Sequence, residues 1–332
     1  MKPTIAVVGG FLGAGKTTLI LKAAKLLQAR GIKVAAVLND QGDDLVDTEL
    51  ARRHAVPADQ VSGGCFCCRF PDLLDAIGRL GAHHPEVIFA EAVGSCVDLV
   101  ATTLRPLMRD YAAGYRIAPL TVLVHDEPSE PDLKFLFERQ LAEADLVIDR
   151  AVNVPAWIEI LLGDGIEAAA KSLEVDYRRY AEAEASLGWL NARVTVYPDP
   201  PVSPSMLLGP LMDELDRGLA AAEIRIVHLK CIAQSDSGYV KAALTANGRE
   251  PAVEGMLDAS PAAEHRVLVN LRALGRPDHL REIVERAFSG MPASWNLIQS
   301  FRPAPPVPYE RIPAAGRAEL PKSDKSIRYS TE

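Results

Sequence analysis

The sequence predicts an α/β protein: a mostly parallel sheet flanked by helices, followed by a small C-terminal α+β domain. Three observations carry this expectation. Through roughly the first two hundred residues, short apolar runs alternate with longer helical patterns about six times, as in a parallel sheet covered on both faces. Those runs are β-branched and continuous, as strands buried on both faces must be. From about Glu223 the pattern changes to apolar–polar alternation, the mark of strands with one wetted face.

The candidate strands of the first unit are residues 4–8, 33–38, 87–90, 120–124, 146–148 and 193–197. A helix over 17–29 joins the first two and stops at Gly31, where glycine tolerates the left-handed backbone of a helix end. Pro198, Pro200, Pro201 and Pro204 punctuate the boundary, so the first domain is expected over 1–200 and a linker helix within 201–222. The second domain, 223–291, opens with Ile224, Ile226 and His228 alternating with polar residues. A strand over 239–245 runs into the turn pair Asn247-Gly248, and a third covers 267–271. The amphipathic helix 278–288 has Asp278 near its N-cap. Residues 292–332 hold Pro303, Pro305, Pro306, Pro308, Pro313 and Pro321, and are expected to form an extended strap with a frayed end.

Composition narrows the function. Of 332 residues, 36 are basic and 44 acidic, a net charge of −8 that argues against coating nucleic acid or an anionic membrane. No stretch reaches the roughly 18 apolar residues of a membrane span. The first apolar run, residues 5–8, is too short for a signal-peptide core, so a cytoplasmic location is expected. Five cysteines, three of them within residues 65–68, do not resemble a disulfide framework.

Residues 10–17, Gly-Phe-Leu-Gly-Ala-Gly-Lys-Thr, fit the phosphate-loop pattern between an apolar strand and a helix. Backbone N–H groups around Gly10, Gly13, Ala14 and Gly15 can wrap a phosphate, helped by the helix N-terminus. Lys16 can reach the β- and γ-phosphates, and the Thr17 hydroxyl can ligate Mg²⁺, with Thr18 beside it. The chain is therefore expected to be a P-loop protein that binds a nucleoside triphosphate with Mg²⁺. Such a site also needs acidic groups where strands end. Asp40 follows the second strand and Glu91 the third, with Gly94 allowing close backbone approach. With Lys16 they are the catalytic candidates; Asp43 and Asp126 are weaker ones.

Cys65, Cys67 and Cys68 lie in Gly63-Gly64-Cys-Phe-Cys-Cys between the second and third strands. Thiolates are soft ligands suited to Zn²⁺ and similar ions, and three of them leave a tetrahedral site incomplete, which suits binding and release. A fourth ligand can be water, a carboxylate or a partner's side chain. Two other readings stay open: buried small hydrophobes, and a redox-active pair. Cys96 follows the Glu91 loop and reads as core or as a neighbour of the same site; Cys231 reads as core. His83-His84 reads as a solvated turn, and His125 either faces the nucleotide or is incidental.

Taken together, residues 9–18, Asn-Asp-Gln-Gly-Asp at 39–43, Gly-Cys-Phe-Cys-Cys at 64–68 and Glu-x-x-Gly at 91–94 resemble the CobW-type family of P-loop GTPases. That family groups with the nickel-insertion GTPases of urease and hydrogenase maturation. The likeness extends through Gln140, Ala144 and Asp145 and into the C-terminal domain. It implies GTP hydrolysis and a metal site at Cys65, Cys67 and Cys68 for Zn²⁺, Co²⁺ or Ni²⁺. It also implies a Walker-B-like role for Glu91, a client metalloprotein or cobalamin-linked enzyme as partner, and a homodimer by analogy. One departure stands out. The family reads guanine with Asn-Lys-x-Asp, and the same slot here is Arg150-Ala151-Val152-Asn153. Asn153 is the candidate substitute, and ATP or loose base specificity stays open. The sequence also lacks a histidine-rich tract, which argues against metal storage.

These features predict a nucleoside triphosphatase that loads or delivers a metal. The alternative is a nucleotide-gated activator whose cysteines only stabilise a loop. A small-molecule kinase explains neither the cysteines nor the second domain. Arg69, beside the cysteines, is the candidate arginine finger.

Overall fold

The computed structural model describes residues 2–42 and 46–313. Asp43, Pro321 and the expected frayed end lie outside the described residues. The first unit contains β1 (Thr4–Gly9), α1 (Lys16–Ala29), β2 (Val34–Asn39), α2 (Val46–Arg53), β3 (Ala58–Val61), α3 (Phe70–Leu80), β4 (Val87–Glu91), α4 (Arg105–Tyr111), β5 (Arg116–Ile117), β6 (Thr121–Val124), α5 (Pro131–Glu143), β7 (Leu146–Asp149), α6 (Val154–Leu162) and α7 (Tyr177–Ala185). The second contains β8 (Gly188–Val196), α8 (Pro204–Ala221), β9 (Arg225–Ser235), β10 (Gly238–Leu244), β11 (Ala252–Gly255), β12 (His265–Leu274), α9 (Pro277–Ala287) and β13 (Ala293–Phe301).

The first sheet has the order β3-β2-β4-β1-β6-β7, with β5 beside β1, and every pair is parallel. All residues of β1, β2 and β4 are buried, which is why they read as unbroken apolar runs. The edge strand β3 escapes sequence reading because Ala-Asp-Gln-Val is short and half exposed. The phosphate loop follows β1 near the middle of the sheet, so its neighbours β4 and β6 deliver their C-terminal ends beside it.

The second sheet is antiparallel, in the order β11-β10-β9-β12-β8-β13. This corrects the strand assigned at 193–197 to the parallel sheet. It is the end of β8, paired with β12 and β13. The misreading has a physical cause. β8 is covered on both faces: Leu190, Ala192, Val194 and Val196 face the second core, while Trp189 joins the first. The domain limits shift accordingly. The second unit begins at β8 rather than residue 223. α8 is not a linker; its Leu207, Leu208, Leu211, Leu215 and Leu219 pack under the sheet. Residues 293–301 are a strand rather than part of the tail, leaving 302–313 as the described strap.

One face of the second sheet rests on α8 and α9. The other meets the first unit, where Ile232 and Leu268 share a core with Val46 and Leu50. A bulge between Arg272 and Ala273, opposite Val227, reverses the alternation of β9. Ile224 and Ile226 point into the α8–α9 core, and after the bulge Leu229, Cys231 and Ala233 do so. His228 and Lys230 are thereby turned toward the phosphate loop.

Candidate functional site

Gly10, Gly13 and Gly15 all adopt positive φ, of 131°, 77° and 100°, and shape the turn between β1 and α1. Gly13, Ala14, Gly15, Lys16, Thr17 and Thr18 line a cavity of about 480 Å³. Gly10 does not line it; it turns the chain against the Leu123 backbone. The Lys16 ammonium donates to Gly10 O at 2.8 Å, and burial holds its pKa below the ordinary lysine value. At Gly94 a Cβ would lie 2.9 Å from Leu12 N, so the Glu91 loop lies directly on the phosphate loop.

Three oxygens converge beside Lys16. The Thr17 hydroxyl lies 2.9 Å from Asp47 Oδ1 and 3.0 Å from Glu91 Oε1. Its single proton cannot serve both, and the buried Glu91 Oε2 has no partner. Burial, then the charge of Asp47, pushes the Glu91 carboxyl up to about 7. Asp47 goes the other way: burial raises it, but the Lys230 and Lys241 charges outweigh that and leave it below the ordinary value. A hydroxyl and two carboxylates packed around an unfilled hydrogen-bonding demand are the donor set of a hard divalent cation, and fit Mg²⁺. Asp47, in the first turn of α2, was missed by the sequence reading. Its only signal is an acidic residue in a helix start just after the Asp40 loop.

Asp40 is not in this cluster. Its carboxylate takes Arg272 Nη2 at 2.7 and 2.9 Å, and Arg272 also stacks 4.0 Å from the Trp189 ring centroid. It lines a smaller chamber of about 40 Å³ together with Lys16, Asp47, Glu91, His228 and Lys230. Around it the second sheet grips the loop: Val46 N donates to Asn270 Oδ1 at 2.9 Å, and Lys230 Nζ lies 2.8 and 2.5 Å from the Asp47 oxygens. A Cβ at Gly13 would lie 2.6 Å from Thr245 Cγ2, so the second unit also closes over the phosphate loop.

At the far end, Asp149, Arg150, Val152 and Val154 line the cavity, but Asn153 does not. The Asn153 side chain instead caps α6, accepting from Ala156 N at 3.1 Å. Its assignment as a base contact is corrected: the helix start uses the oxygen that a base would need. Arg150 donates to Ala14 O at 3.0 Å and to Gly13 O, tying this loop to the phosphate loop. Arg69 pairs with Asp72 and does not line the cavity, so it is not placed to act as a finger. Asp126 pairs with Arg249 at 3.0 Å, and His125 leans on Asp126 O.

The thiols of Cys65, Cys67 and Cys68 lie within 4.8 Å of one another, with Cys65 and Cys67 buried. Cys65 and Cys68 are 3.5 Å apart, and Cys67 and Cys68 3.6 Å. Cys96 is buried beside them, facing Cys65 and Cys67, whose thiols hold its pKa down to about 7. Cys231 is buried in the second core. The loop is held by Asn39: its Nδ2 donates to Val61 O at 2.9 Å and Gly64 O at 2.8 Å, and its Oδ1 accepts from Phe66 N at 2.9 Å. The strap covers it, with Tyr309 N donating to Cys67 O at 2.8 Å and the Tyr309 ring stacked on Phe70. Arg311 anchors the strap on Asp98 at 2.7 Å. Among the described residues, no helix is long and apolar enough to cross a membrane.

Residues 4–152 match the model of the CobW/HypB/UreG nucleotide-binding domain. The zinc chaperone CobW of Pseudomonas aeruginosa is 28% identical over 182 residues, covering 44% of this chain and 48% of that protein. The zinc chaperone YjiA of Escherichia coli is 38% identical over 74 residues, covering 22% and 23%. The match thus spans about half or less of the length of these relatives. The Zn(II)-bound YjiA GTPase structure from E. coli aligns over 88% of this chain and 100% of that one, at 16% identity and a TM-score of 0.32. Over residues 4–152, just under half of its length, the chain is similar to the nucleotide-binding domains of the CobW/HypB/UreG family.

Proposed function

We propose that the protein is a nucleoside triphosphate hydrolase of the GTPase type that couples nucleotide turnover to capture and release of a divalent transition metal. Its cargo is Zn²⁺, Co²⁺ or Ni²⁺, held by Cys65, Cys67 and Cys68. It serves as a metallochaperone or as an assembly factor for a metal cofactor, with a metalloprotein or cobalamin-linked enzyme as client. The relatives named zinc chaperones support the cargo.

In the hydrolytic step the phosphate-loop N–H groups and Lys16 hold the phosphates. Thr17, Asp47 and Glu91 hold Mg²⁺, which supplies charge neutralisation at the phosphate oxygens. A water oxygen bonds to the γ-phosphorus. The bond from phosphorus to the bridging oxygen breaks, and its electron pair leaves with the nucleoside diphosphate. One water proton stays on the phosphate and the other passes to solvent. Asp40, at the edge of the chamber beside the γ-phosphate position, orients that water.

The single observation that carries the coupling is the adjacency of Asn39 and Asp40. Asn39 holds the cysteine loop by three hydrogen bonds, and Asp40 lines the chamber next to Lys16. A nucleotide that moves the Asp40 loop therefore pulls on the metal site. The base is guanine by family type. The Arg150-Ala151-Val152-Asn153 slot, with Asn153 engaged as a cap, favours weak discrimination against adenine.

Equilibrium dialysis tests the cargo. One equivalent of Zn²⁺ or Co²⁺ should bind, and the Cys65→Ser/Cys67→Ser/Cys68→Ser variant should bind none. The burial of Cys65 and Cys67 beneath the strap favours one second reading, a nucleotide-gated activator whose cysteines brace the loop. Under it the triple variant keeps client activation and Lys16→Ala abolishes it.

A further inference from the structure

The geometry points to Lys230 and Lys241 as the cations that meet the terminal phosphate, making the second domain a cis-acting activator of hydrolysis; this rests on the nucleotide-hydrolase reading above. Opposite the phosphate loop, the cavity is walled by the second sheet, which presents His228, Lys230 and Lys241, with Arg249 from the β10–β11 turn at its rim. The adjoining chamber of about 40 Å³ shares Lys16, Asp47, Glu91, His228 and Lys230 with it, and is closed by Asn270 and Arg272. That is room for about one water beside the place where a triphosphate ends.

The sheet is built to place these side chains. Without the bulge opposite Val227, the phase set by Ile224 and Ile226 would turn Lys230 into the apolar α8–α9 core. Lys241 is only 7% exposed, and Lys230 is half-buried. A buried ammonium group needs a partner for its hydrogens. The partners here are Asp47 for Lys230 and Glu254, at 2.9 Å, for Lys241. Asp47 also belongs to the Thr17–Glu91 oxygen cluster. Asp47, Thr17 and Glu91 would share their charge with a divalent cation held there, which would weaken the hold of Asp47 on Lys230 and leave its ammonium free to face a terminal phosphate.

Of the other cations at the cavity, Arg150 holds the phosphate-loop carbonyls, Arg249 pairs with Asp126 in an exposed turn, and Lys22 is exposed on α1; none of them lies in the buried wall that Lys230 and Lys241 occupy. Lys230 and Lys241 thus do in one chain what an arginine finger does. They stabilise the charge that builds on the phosphate oxygens as the bridging bond breaks, and a diphosphate gives them nothing to hold.

Full-length wild type, Lys230→Met, Lys230→Arg and Lys241→Met are compared with fluorescent guanine and adenine nucleotides. The readouts are affinity for the diphosphate, affinity for a non-hydrolysable triphosphate, and single-turnover phosphate release. Lys230→Met should bind diphosphate as wild type does, lose its preference for the triphosphate, and release phosphate about 100-fold more slowly. Lys230→Arg should recover part of the rate, and Lys241→Met should slow release less. A Lys230→Met protein with wild-type release and wild-type triphosphate preference overturns the inference. Should that variant lose diphosphate binding as well, Lys241→Met decides by the same two criteria, because its partner lies in its own sheet. A wild type that hydrolyses no nucleotide overturns the hydrolase reading and this inference with it, an outcome distinct from the first.

Discussion

Asp40 and the buried Arg272 form an ion pair across the two domains: one guanidinium nitrogen, Nη2, lies 2.7 and 2.9 Å from the two carboxylate oxygens. Arg272 is 3% exposed and stacked on Trp189, while the Asp40 carboxylate is 19% exposed, so the pair is screened by salt less than a surface pair. It fastens the loop after β2 to the second sheet. Removing one partner leaves a buried charge alone, which costs about 3–5 kcal/mol. Arg272→Leu strands the partly buried Asp40 and should lower unfolding free energy in urea by less, about 1–3 kcal/mol. Adding Asp40→Leu should recover part of the loss, a double-mutant coupling that two independent surface sites would not show.

Glu91 and Asp47 should set the Mg²⁺ dependence of nucleotide binding. Glu91→Gln keeps the shape and removes one charge from the oxygen cluster. Titration of Mg²⁺ at fixed nucleotide should need about tenfold more metal, about 1.4 kcal/mol of lost binding. Affinity for nucleotide without Mg²⁺ should rise or stay level, because a carboxylate near the phosphates has gone.

Glu143 gives a pH signature. It is buried at the end of α5, accepts from Val100 N at 3.0 Å, and burial pushes its carboxyl up to about 8. The folded state holds this proton while an unfolded chain has released it near pH 4.5. The stabilising effect of that proton is full below the unfolded value and is lost as pH rises from there toward about 8. Urea stability should fall across that window by a few kcal/mol at most on this account. Glu143→Gln, neutral throughout, should flatten the fall and be the more stable protein at pH 9.

Asn39 should behave as a supporting residue of the cysteine site. Asn39→Ala removes all three hydrogen bonds to the loop without touching a thiol. Metal affinity should drop about 10–100-fold, in the range seen for groups that orient ligands. The cobalt complex should keep its thiolate charge-transfer bands, since the donor atoms are unchanged.

The two sites differ in how far the sequence reveals them. The phosphate loop, Glu91 and the cysteine triad are contiguous motifs next to readable strands, so pattern alone finds them. Asp47, Lys230, Lys241 and Arg272 are not legible. Lys230 meets Asp47 across 183 residues and Arg272 meets Asp40 across 232, and neither lysine stands in a motif. The bulge that aims His228 and Lys230 inward interrupts a strict alternation, so extrapolating from Ile224 and Ile226 puts His228 on the wrong face. The same limit explains β8. Burial on both sides makes an antiparallel strand look parallel, because periodicity reports burial and not pairing direction. Asn153 shows the converse case. A plausible base-reading position was already committed to a helix cap that the sequence -Asn-Val-Pro- itself encodes.

The central claim is that nucleotide state sets metal affinity through the Asn39–Asp40 hinge. It is tested most directly by titrating Co²⁺ into the protein saturated with Mg²⁺ and either a non-hydrolysable triphosphate or the diphosphate. The absorption of the cobalt–thiolate bands reports occupancy. The account predicts dissociation constants that differ by about tenfold or more, a coupling of about 1.4 kcal/mol, and a difference that disappears in Asn39→Ala. Equal affinities in the two nucleotide states, with metal still bound through the cysteines, would contradict it.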